Sequence, residues 1–425
     1  MTVKNQSSQT RIKFLAVIAV VVIVVAAAVV FVSGGKDDAG DDRNRDGRLQ
    51  IMGNANNDDY LDQDDVEELE RIVKENGTVK DHPLADANND GVIDSKDIEM
   101  VKRMVDRESM PIYIVNGKSE VQRIDYPVSK FISIGTDTLS SVYAVGAMSK
   151  VSAVSGKNLS DKTFYGAYQS IPKIGSSASN IKLEDTTTVT DAKVIITTPH
   201  KSTFSNQSAF DAAGYTTIRL PLTDTGEMPS GVLTLGYITQ CEEQSQKLAG
   251  FYDRVLSEIS DKTSGISDSD RKKVLCIMGS DSACGMQDTR YKATVLAGAD
   301  NVLKEDFGTK NIEDGSEWIN NYNFAQMIVH VTTSMTYSDT DLSALYDKLE
   351  GCVSQMDAAV NGQYYLMSGS VAPIIRVAYM AGLFYPDLFG GSYGDQIHQE
   401  YIDTFLSGLK DSGYKADSGT FVYSK

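Results

Sequence analysis

Along residues 236–260 apolar side chains recur at helical spacing. Ile238, Cys241, Leu248, Phe251, Tyr252, Val255, Leu256 and Ile259 are separated by Glu, Gln, Lys and Arg. The pattern predicts one long amphipathic helix over 230–262. On both sides of it, short apolar runs alternate with helical segments. Strands are expected at 112–115, 121–124, 131–134, 151–154, 193–197 and 217–220, with helices over 136–148 and near 206–213. Beyond the long helix, strands at 273–278, 327–331 and 364–367 alternate with helices at 289–299 and 341–359, and helices at 372–383 and 395–410 close the chain. Alternation on this scale implies a mainly parallel sheet in each of two lobes. The expected fold class is therefore α/β: two Rossmann-like lobes, 112–229 and 263–425, joined by one long backbone helix. Asn116-Gly117, between two apolar runs, predicts a hairpin with a type I′ turn.

Residues 14–32 form an unbroken apolar run, long enough at 1.5 Å per residue to cross roughly 30 Å of hydrocarbon. Lys4, Arg11 and Lys13 precede it and acidic residues follow. The positive-inside rule puts residues 1–35 down as cytoplasmic tail and transmembrane signal-anchor, with the bulk of the chain outside. The alternative is a cleaved leader, for which the run is long and no lipid-accepting Cys follows. Residues 36–48 are charged and contain Gly, as a tether does.

A repeat of period 32 comes next. Its second copy places Asp86, Asn88, Asp90, Val92 (through its carbonyl), Asp94 and Asp97 at the oxygen-ligand positions of a twelve-residue calcium loop, with Gly91 at the sharp turn. The first copy offers Asn54, Asn56, Asp58, Tyr60 (carbonyl), Asp62 and Asp65. It departs twice: Asn54 stands where Asp is usual, and Asp59 where Gly is usual, so its site is expected to be weaker. A helix follows each loop. Val66, Leu69, Ile72 and Val73 match Ile98, Val101, Met104 and Val105 one repeat later, two small stripes expected to pack face to face.

With Asp closing each loop and one helix per loop, residues 49–110 resemble a dockerin domain. The resemblance implies two structural Ca2+ ions and a cohesin-bearing partner. The partner-facing positions would be Gln63 and Asp64 in the first copy and Ser95 and Lys96 in the second; these differ from the familiar pairs, and a spacer role is the alternative.

Net charge is −18, which argues against a nucleic-acid partner. Four cysteines, Cys241, Cys276, Cys284 and Cys352, show no CxxC spacing, so no structural zinc is expected. Cys276 and Cys284 could pair in an oxidising compartment, but Cys276 ends an apolar strand and free thiols are the expectation.

The run PVSKFISIGTDTLSSVYAVGAMSKVSAVSG, then IPKIG, LAGADNV and AYMAGLFYPDLF, in that order over 112–425, is similar to the iron-complex and cobalamin family of ABC-transporter substrate-binding proteins. That resemblance implies two lobes on one stiff helix, small closure on ligand, and a permease partner. It aligns Glu184 and Glu317 with the carboxylates, one per lobe, that dock on permease arginines.

In open α/β sheets ligands sit outside the carboxyl ends of strands, beside helix N-termini. That rule selects the loops at 135–138, 197–201, 279–290 and 368–376. Candidate ligand contacts are Thr136, Asp137 and Thr138; Tyr165 and Tyr168 as aromatic cover; His200 and Lys201; Arg290 and Arg376 for anionic groups; and Tyr337. No GxSxG or HExxH occurs, so an enzyme is not expected. The expected function is capture of an iron complex, siderophore or haem, for an ABC importer. A corrinoid or other metal chelate, or a dockerin-bearing scaffold or hydrolase, is the alternative.

Overall fold

The computed structural model describes residues 48–155, 159–200, 203–278, 282–311, 321–338, 341–351 and 353–425. The expected anchor over 14–32, together with Lys201, Glu317 and Cys352, lies outside the described residues. Among the described residues no helix is long and apolar enough to cross a membrane.

The first helices among the described residues are α1 (Gln63–Lys74) and α2 (Ser95–Val105), each entered through one repeat loop. Asp62 and Asp94 cap them, and Asp65 and Asp97 return the favour to the capping residues' own N–H groups, the reciprocal arrangement of a capping box. A hairpin follows, β1 (Met110–Val115) and β2 (Val121–Tyr126). It is not closed by a type I′ turn. The connection spans 116–120, Asn116 N–H donates to the Glu120 carbonyl, and the left-handed residue is Ser119. Gly117 serves close approach instead: a Cβ there would stand 2.6 Å from Pro199 Cγ.

The first lobe comprises β3 (Phe131–Ser133), α3 (Thr136–Ala144), β4 (Val151–Ser155), β5 (Lys173–Ile174), α4 (Leu183–Val189), β6 (Val194–Thr197), α5 (Gln207–Ala212) and β7 (Thr216–Arg219). Its five strands are all parallel, in the order β5-β4-β3-β6-β7.

The predicted single rod over 230–262 is two helices, α6 (Met228–Ile238) and α7 (Glu242–Thr263). The chain turns at Gln240, whose φ is 53°, and α6 packs back on α7. Periodicity ran across the break because both helices bury residues there. The polar group Gln240-Cys241-Glu242 is a turn and not an exposed helical stripe. Gly236 makes the turn tight: an added Cβ would lie 2.0 Å from Ser245 Oγ.

The second lobe holds β8 (Lys273–Met278), β9 (Ser282–Cys284), α8 (Thr289–Leu296), β10 (Asp300–Asn301), β11 (Thr309–Asn311), β12 (Met327–Thr332), α9 (Leu342–Glu350), α10 (Asp357–Val360), β13 (Tyr364–Ser368), α11 (Pro373–Phe384), α12 (Pro386–Phe389), α13 (Tyr393–Phe405), α14 (Ser407–Asp411) and β14 (Val422–Tyr423). Its sheet runs β11-β9-β8-β12-β13-β14, with β10 also on β8; the middle is parallel and the margins antiparallel. The two sheets are separate, and the expected helices over 341–359 and 395–410 are each broken in two.

One apolar core runs through the whole body. It takes in Leu49, Ile51, Leu61 and Met104 of the repeat module, Leu139 and Val142 of the first lobe, Leu248, Tyr252 and Val255 of α7, and Ile374 and Val377 of the second lobe. The module is thus built onto α6 and α7. Ile51 bridges to Ile114, Met52 N–H donates to the Tyr113 carbonyl at 2.9 Å, and Arg107 lies 4.7 Å over the Tyr237 ring and 3.2 Å from Glu242. Arg48 reaches both Asp59 and, at 2.6 Å, Asp253 of α7.

The tight α6–α7 turn gives a direct check. Gly236→Ala is expected to lower stability by about 1–3 kcal/mol through overpacking against Ser245, read from urea unfolding. Adding Ser245→Gly should restore most of it; no loss in the single variant would show that the turn is looser than described.

Candidate ligand site

Asp137, Arg290, Arg376 and His200, from the two lobes, come near one another at the carboxyl ends of the strands. Asp137, in the first turn of α3, feels the fields of Arg376, Arg290 and His200. Its position follows from local geometry: β3 ends at Ser133, Gly135 takes φ 100° with its N–H on Ser155 Oγ, and α3 starts at Thr136. Thr136 and Asp137 are accessible, whereas Thr138 is fully buried and its Oγ1 finds no partner. Protein surrounds the accessible Asp137 carboxyl, and burial pushes it above the usual range, against the pull of Arg376, Arg290 and His200.

From the second lobe, Arg290 rides on α8. Asp288 caps that helix through the Arg290 N–H at 2.7 Å and also takes the guanidinium at 3.0 Å. Arg376, on α11, is only 6 % exposed. Its Nη2 has one long contact with the Gly369 carbonyl, 3.4 Å, and its Nε has no hydrogen-bond partner. Among the described residues it has no ion pair. Burial lowers its pKa from the ordinary arginine value, and the like charge of Arg290 adds to that.

His200 is exposed in the loop after β6. A residue that pattern reading missed holds that loop: buried Arg219 donates to the carbonyls of Thr198 (2.7 Å), His200 (3.1 Å) and Phe204 (3.1 Å). Nothing in the sequence distinguishes Arg219 from other arginines.

The tyrosines are placed differently from expectation. Tyr165 and Tyr337 are buried, 3 % and 6 % exposed, and Tyr168 is half-buried. They belong to an aromatic wall that joins the lobes and are not open cover over a ligand. Phe164 and Tyr337 rings lie 4.6 Å apart across the interface, and Tyr143 accepts the Leu409 N–H. Asp161, also missed, fastens the same side: its carboxylate accepts from the Tyr337 N–H at 2.8 Å and Ser338 Oγ at 3.0 Å. Behind Tyr337, His398 bonds to the Tyr337 and Tyr379 hydroxyls at 2.8 and 3.1 Å.

Glu184 is exposed in the first turn of α4. The threonine run after it does form helix, because Thr186, Thr187 and Thr188 hydroxyls bond back to the carbonyls of Lys182, Glu184 and Asp185.

In the repeat loops the carboxylates are held on the chain's own N–H groups. Asp97 takes those of Asn88 and Asp94, Asp65 those of Asn56 and Asp62, and Asp86 those of Asp90 and Gly91. Asp65, Asp86 and Asp97 are fully buried, and burial lifts Asp65 to about 7. Asn54 Oδ1 is buried without a partner. The donors suit a hard cation in type, but among the described residues no three His, Cys, Asp or Glu side chains converge as a ready cage. Gln63, Asp64, Ser95 and Lys96 are exposed, with Lys96 paired to Asp90 and Asp94.

No protein-family model and no curated protein sequence matches the chain. Solved structures do match in fold. A TroA-like periplasmic binding protein from Veillonella parvula superposes with TM-score 0.57 at 18% identity, over 74% of this chain and 99% of its own. The molybdate periplasmic binding protein of a Haemophilus influenzae ABC transporter gives 0.57 at 13%, over 69% and 98%. A periplasmic haem-binding protein from Pseudomonas aeruginosa gives 0.50 at 17%, over 61% and 94%. The fold is that of periplasmic solute-binding proteins, and the chain contains nearly the whole length of each with residues to spare.

The buried histidine sets a pH dependence. Burial brings His398 down to about 3, while an unfolded chain titrates near 6.5. Between those values the unfolded state binds the extra proton, so stability is lost as pH falls through 6.5 and not above it. The contribution of His398 from pH 7 to 5 is a loss of about 2 kcal/mol, read as the difference in urea-midpoint shift between the natural chain and His398→Gln, because the raised Asp65 carboxyl gains stability over the same range. An equal slope in that variant would assign the titration elsewhere.

Proposed function

We propose that this chain is the extracytoplasmic solute-binding component of an ABC importer and takes an anionic metal chelate between its lobes, an iron complex (ferric siderophore or haem) before a corrinoid. The observation that carries the reading is Arg376. A nearly buried guanidinium with an unpartnered Nε and no ion pair among the described residues has Asp137 and Asp288 only at a distance, and burying a charge without a direct partner costs several kcal/mol. A carboxylate, hydroxamate or catecholate oxygen brought in by a ligand supplies it, with Arg290 alongside. Asp137 and His200 on the facing lobe offer an acceptor and a nitrogen donor to the same guest. The neighbours that carry haem or molybdate support the class of cargo. Glu184, with Glu317 in the second lobe, is the permease contact in this reading.

Titration of residues 43–425, one compact unit, with haem and with a ferric hydroxamate, followed by visible absorbance, tests it. Arg376→Met should weaken binding about 30-fold or more, the equivalent of 2 kcal/mol. No binding of either probe, or unchanged affinity in the variant, ends the reading.

In the same reading the repeat loops hold two calcium ions: Asp86, Asn88, Asp90, Val92, Asp94 and Asp97 bind one, and Asn54, Asn56, Asp58, Tyr60, Asp62 and Asp65 the weaker. The cohesin contact through Gln63, Asp64, Ser95 and Lys96 is a further possibility of the exposed side. Because the module shares its core with α6 and α7, calcium removal should lower the thermal midpoint of the whole body and not melt 49–110 alone. At free calcium a hundredfold above the dissociation constant the stabilisation is about 2.7 kcal/mol. A chelator that leaves the calorimetric trace unchanged would refute the metal.

A further inference from the structure

Cys276 and Cys284 serve neither the ligand cleft nor the repeat loops, yet the sheet sets them face to face. In the β8–β9 pairing Ile277 is opposite Ala283 and Met278 opposite Ser282. The same antiparallel register carries Cys276 opposite Cys284. Directly opposed residues in such a pair have Cα atoms about 4.5 or 5.5 Å apart, inside the window of about 4.4–6.8 Å that a disulfide spans. Both side chains are 0 % exposed, and the Cys276 thiol stands near enough to act on the Cys284 thiol. Here they are free thiols.

The pair stands behind the cleft. Cys284 is the last residue of β9, and the chain then turns through Gly285, whose N–H donates to the Gly308 carbonyl, into Asp288. Asp288 is the residue that caps α8 and holds Arg290. A covalent tie between β8 and β9 fixes the root of that turn.

We propose that Cys276 and Cys284 are a cross-strand disulfide site, closed as the chain folds outside the cytoplasm. The proposal rests on the extracytoplasmic location in the reading above, where disulfides persist, and not on the ligand. The oxidant is a small or protein disulfide, and the step is exchange. One cysteine thiolate attacks the donor disulfide, forming a mixed disulfide and releasing one donor thiolate, which takes up the proton. The second cysteine thiolate attacks the mixed disulfide, forming the Cys276–Cys284 bond and releasing the other donor half as thiol. The chain loses two electrons and two protons; the donor disulfide gains both and leaves as two thiols. Exchange precedes burial, because in the folded chain the bond from Cys276 and then burial hold the Cys284 thiol protonated, well above its usual range, and a protonated thiol is a poor nucleophile.

Both cysteines lie on one tryptic peptide, residues 274–290, bounded by Lys273 and Arg290 with no basic residue between. The full chain is refolded in a mixture of reduced and oxidised glutathione, alkylated under denaturing conditions and digested without reduction. The expected peptide carries no alkyl group and is two hydrogens lighter than the dithiol; reduction converts it to the doubly alkylated form. A doubly alkylated peptide before reduction overturns the proposal, as does a bond from either cysteine to Cys241 or Cys352. Thermal melting gives a second measurement. The oxidised chain should melt a few degrees above the reduced one, and Cys276→Ser/Cys284→Ser should show no such redox difference. If the double variant does not fold, the peptide mass on the natural sequence still decides. A chain that closes the bond but binds no chelate would overturn the ligand reading and leave this one standing.

Discussion

One face of α7 carries Leu248, Phe251, Tyr252, Val255 and Ile259, all buried, and that face is shared by both lobes and by α6. At about 1.5–3 kcal/mol for each side chain removed from water, the five are worth roughly 8–15 kcal/mol before the unfolded chain's own burial is deducted. That is comparable to the whole net stability of a typical domain. Neither lobe can shed the helix without unfolding, so relative motion is confined to bending about it. The aromatic wall limits bending further. Phe164 against Tyr337, Tyr143 against Leu409 and the Asp161 fastening all lie between the lobes. The two lobes are thus held to one another by the helix on one side and by the aromatic wall between them.

Charge placement in the cleft is uneven. Arg290 has Asp288; Arg376 has no ion pair among the described residues and feels Asp137 and Asp288 from farther off. The raised carboxyl of Asp137 and the lowered pKa of Arg376 have one cause, burial acting against ionisation on both. If the two were a good salt bridge, attraction would outweigh burial and Asp137 would shift the other way. The directions therefore say that attraction between the two is too weak to outweigh burial.

Several of these features could be read from the residues alone. The strand-end rule picked out Asp137, His200, Arg290 and Arg376 from separate stretches, and the fold brings them to one place. The period of 32 located both repeat loops and the packed stripes of α1 and α2. The break at Gln240 was not legible, because hydrophobic spacing reports which face is buried and not whether the axis continues. What forces the turn is a long-range contact, Gly236 on Ser245. Strands of two or three residues such as β5, β9, β10 and β14 carry too few positions for alternation to register. Asp161, Arg219 and His398 were missed for a different reason: each acts through partners distant in sequence, and an isolated Asp, Arg or His looks the same on a surface as at a lobe interface.

The first repeat loop shows what its departures are for. Asn54 stands where a calcium loop prefers Asp, and its amide donates to the carbonyls of Leu49 (2.9 Å) and Asp58 (2.8 Å). A carboxylate could donate to neither. Asp59 stands where Gly91 takes φ 89° in the second loop; Asp59 itself is not left-handed, and its carboxylate receives Arg48, which also reaches Asp253 of α7. The Asn54 bonds brace the loop on the module's own chain, and the Asp59–Arg48–Asp253 link ties the module to the body. The Arg48 ion pairs are part-exposed and worth about 1 kcal/mol at most, whereas burying Leu49, Ile51, Leu61 and Met104 contributes about 1.5–3 kcal/mol each. The apolar seam supplies the affinity and the polar contacts fix the register. The first loop, facing α7, departs from the twelve-residue pattern at Asp59, where it meets that seam, while the second loop, which makes none of these contacts among the described residues, keeps Gly91 at that position.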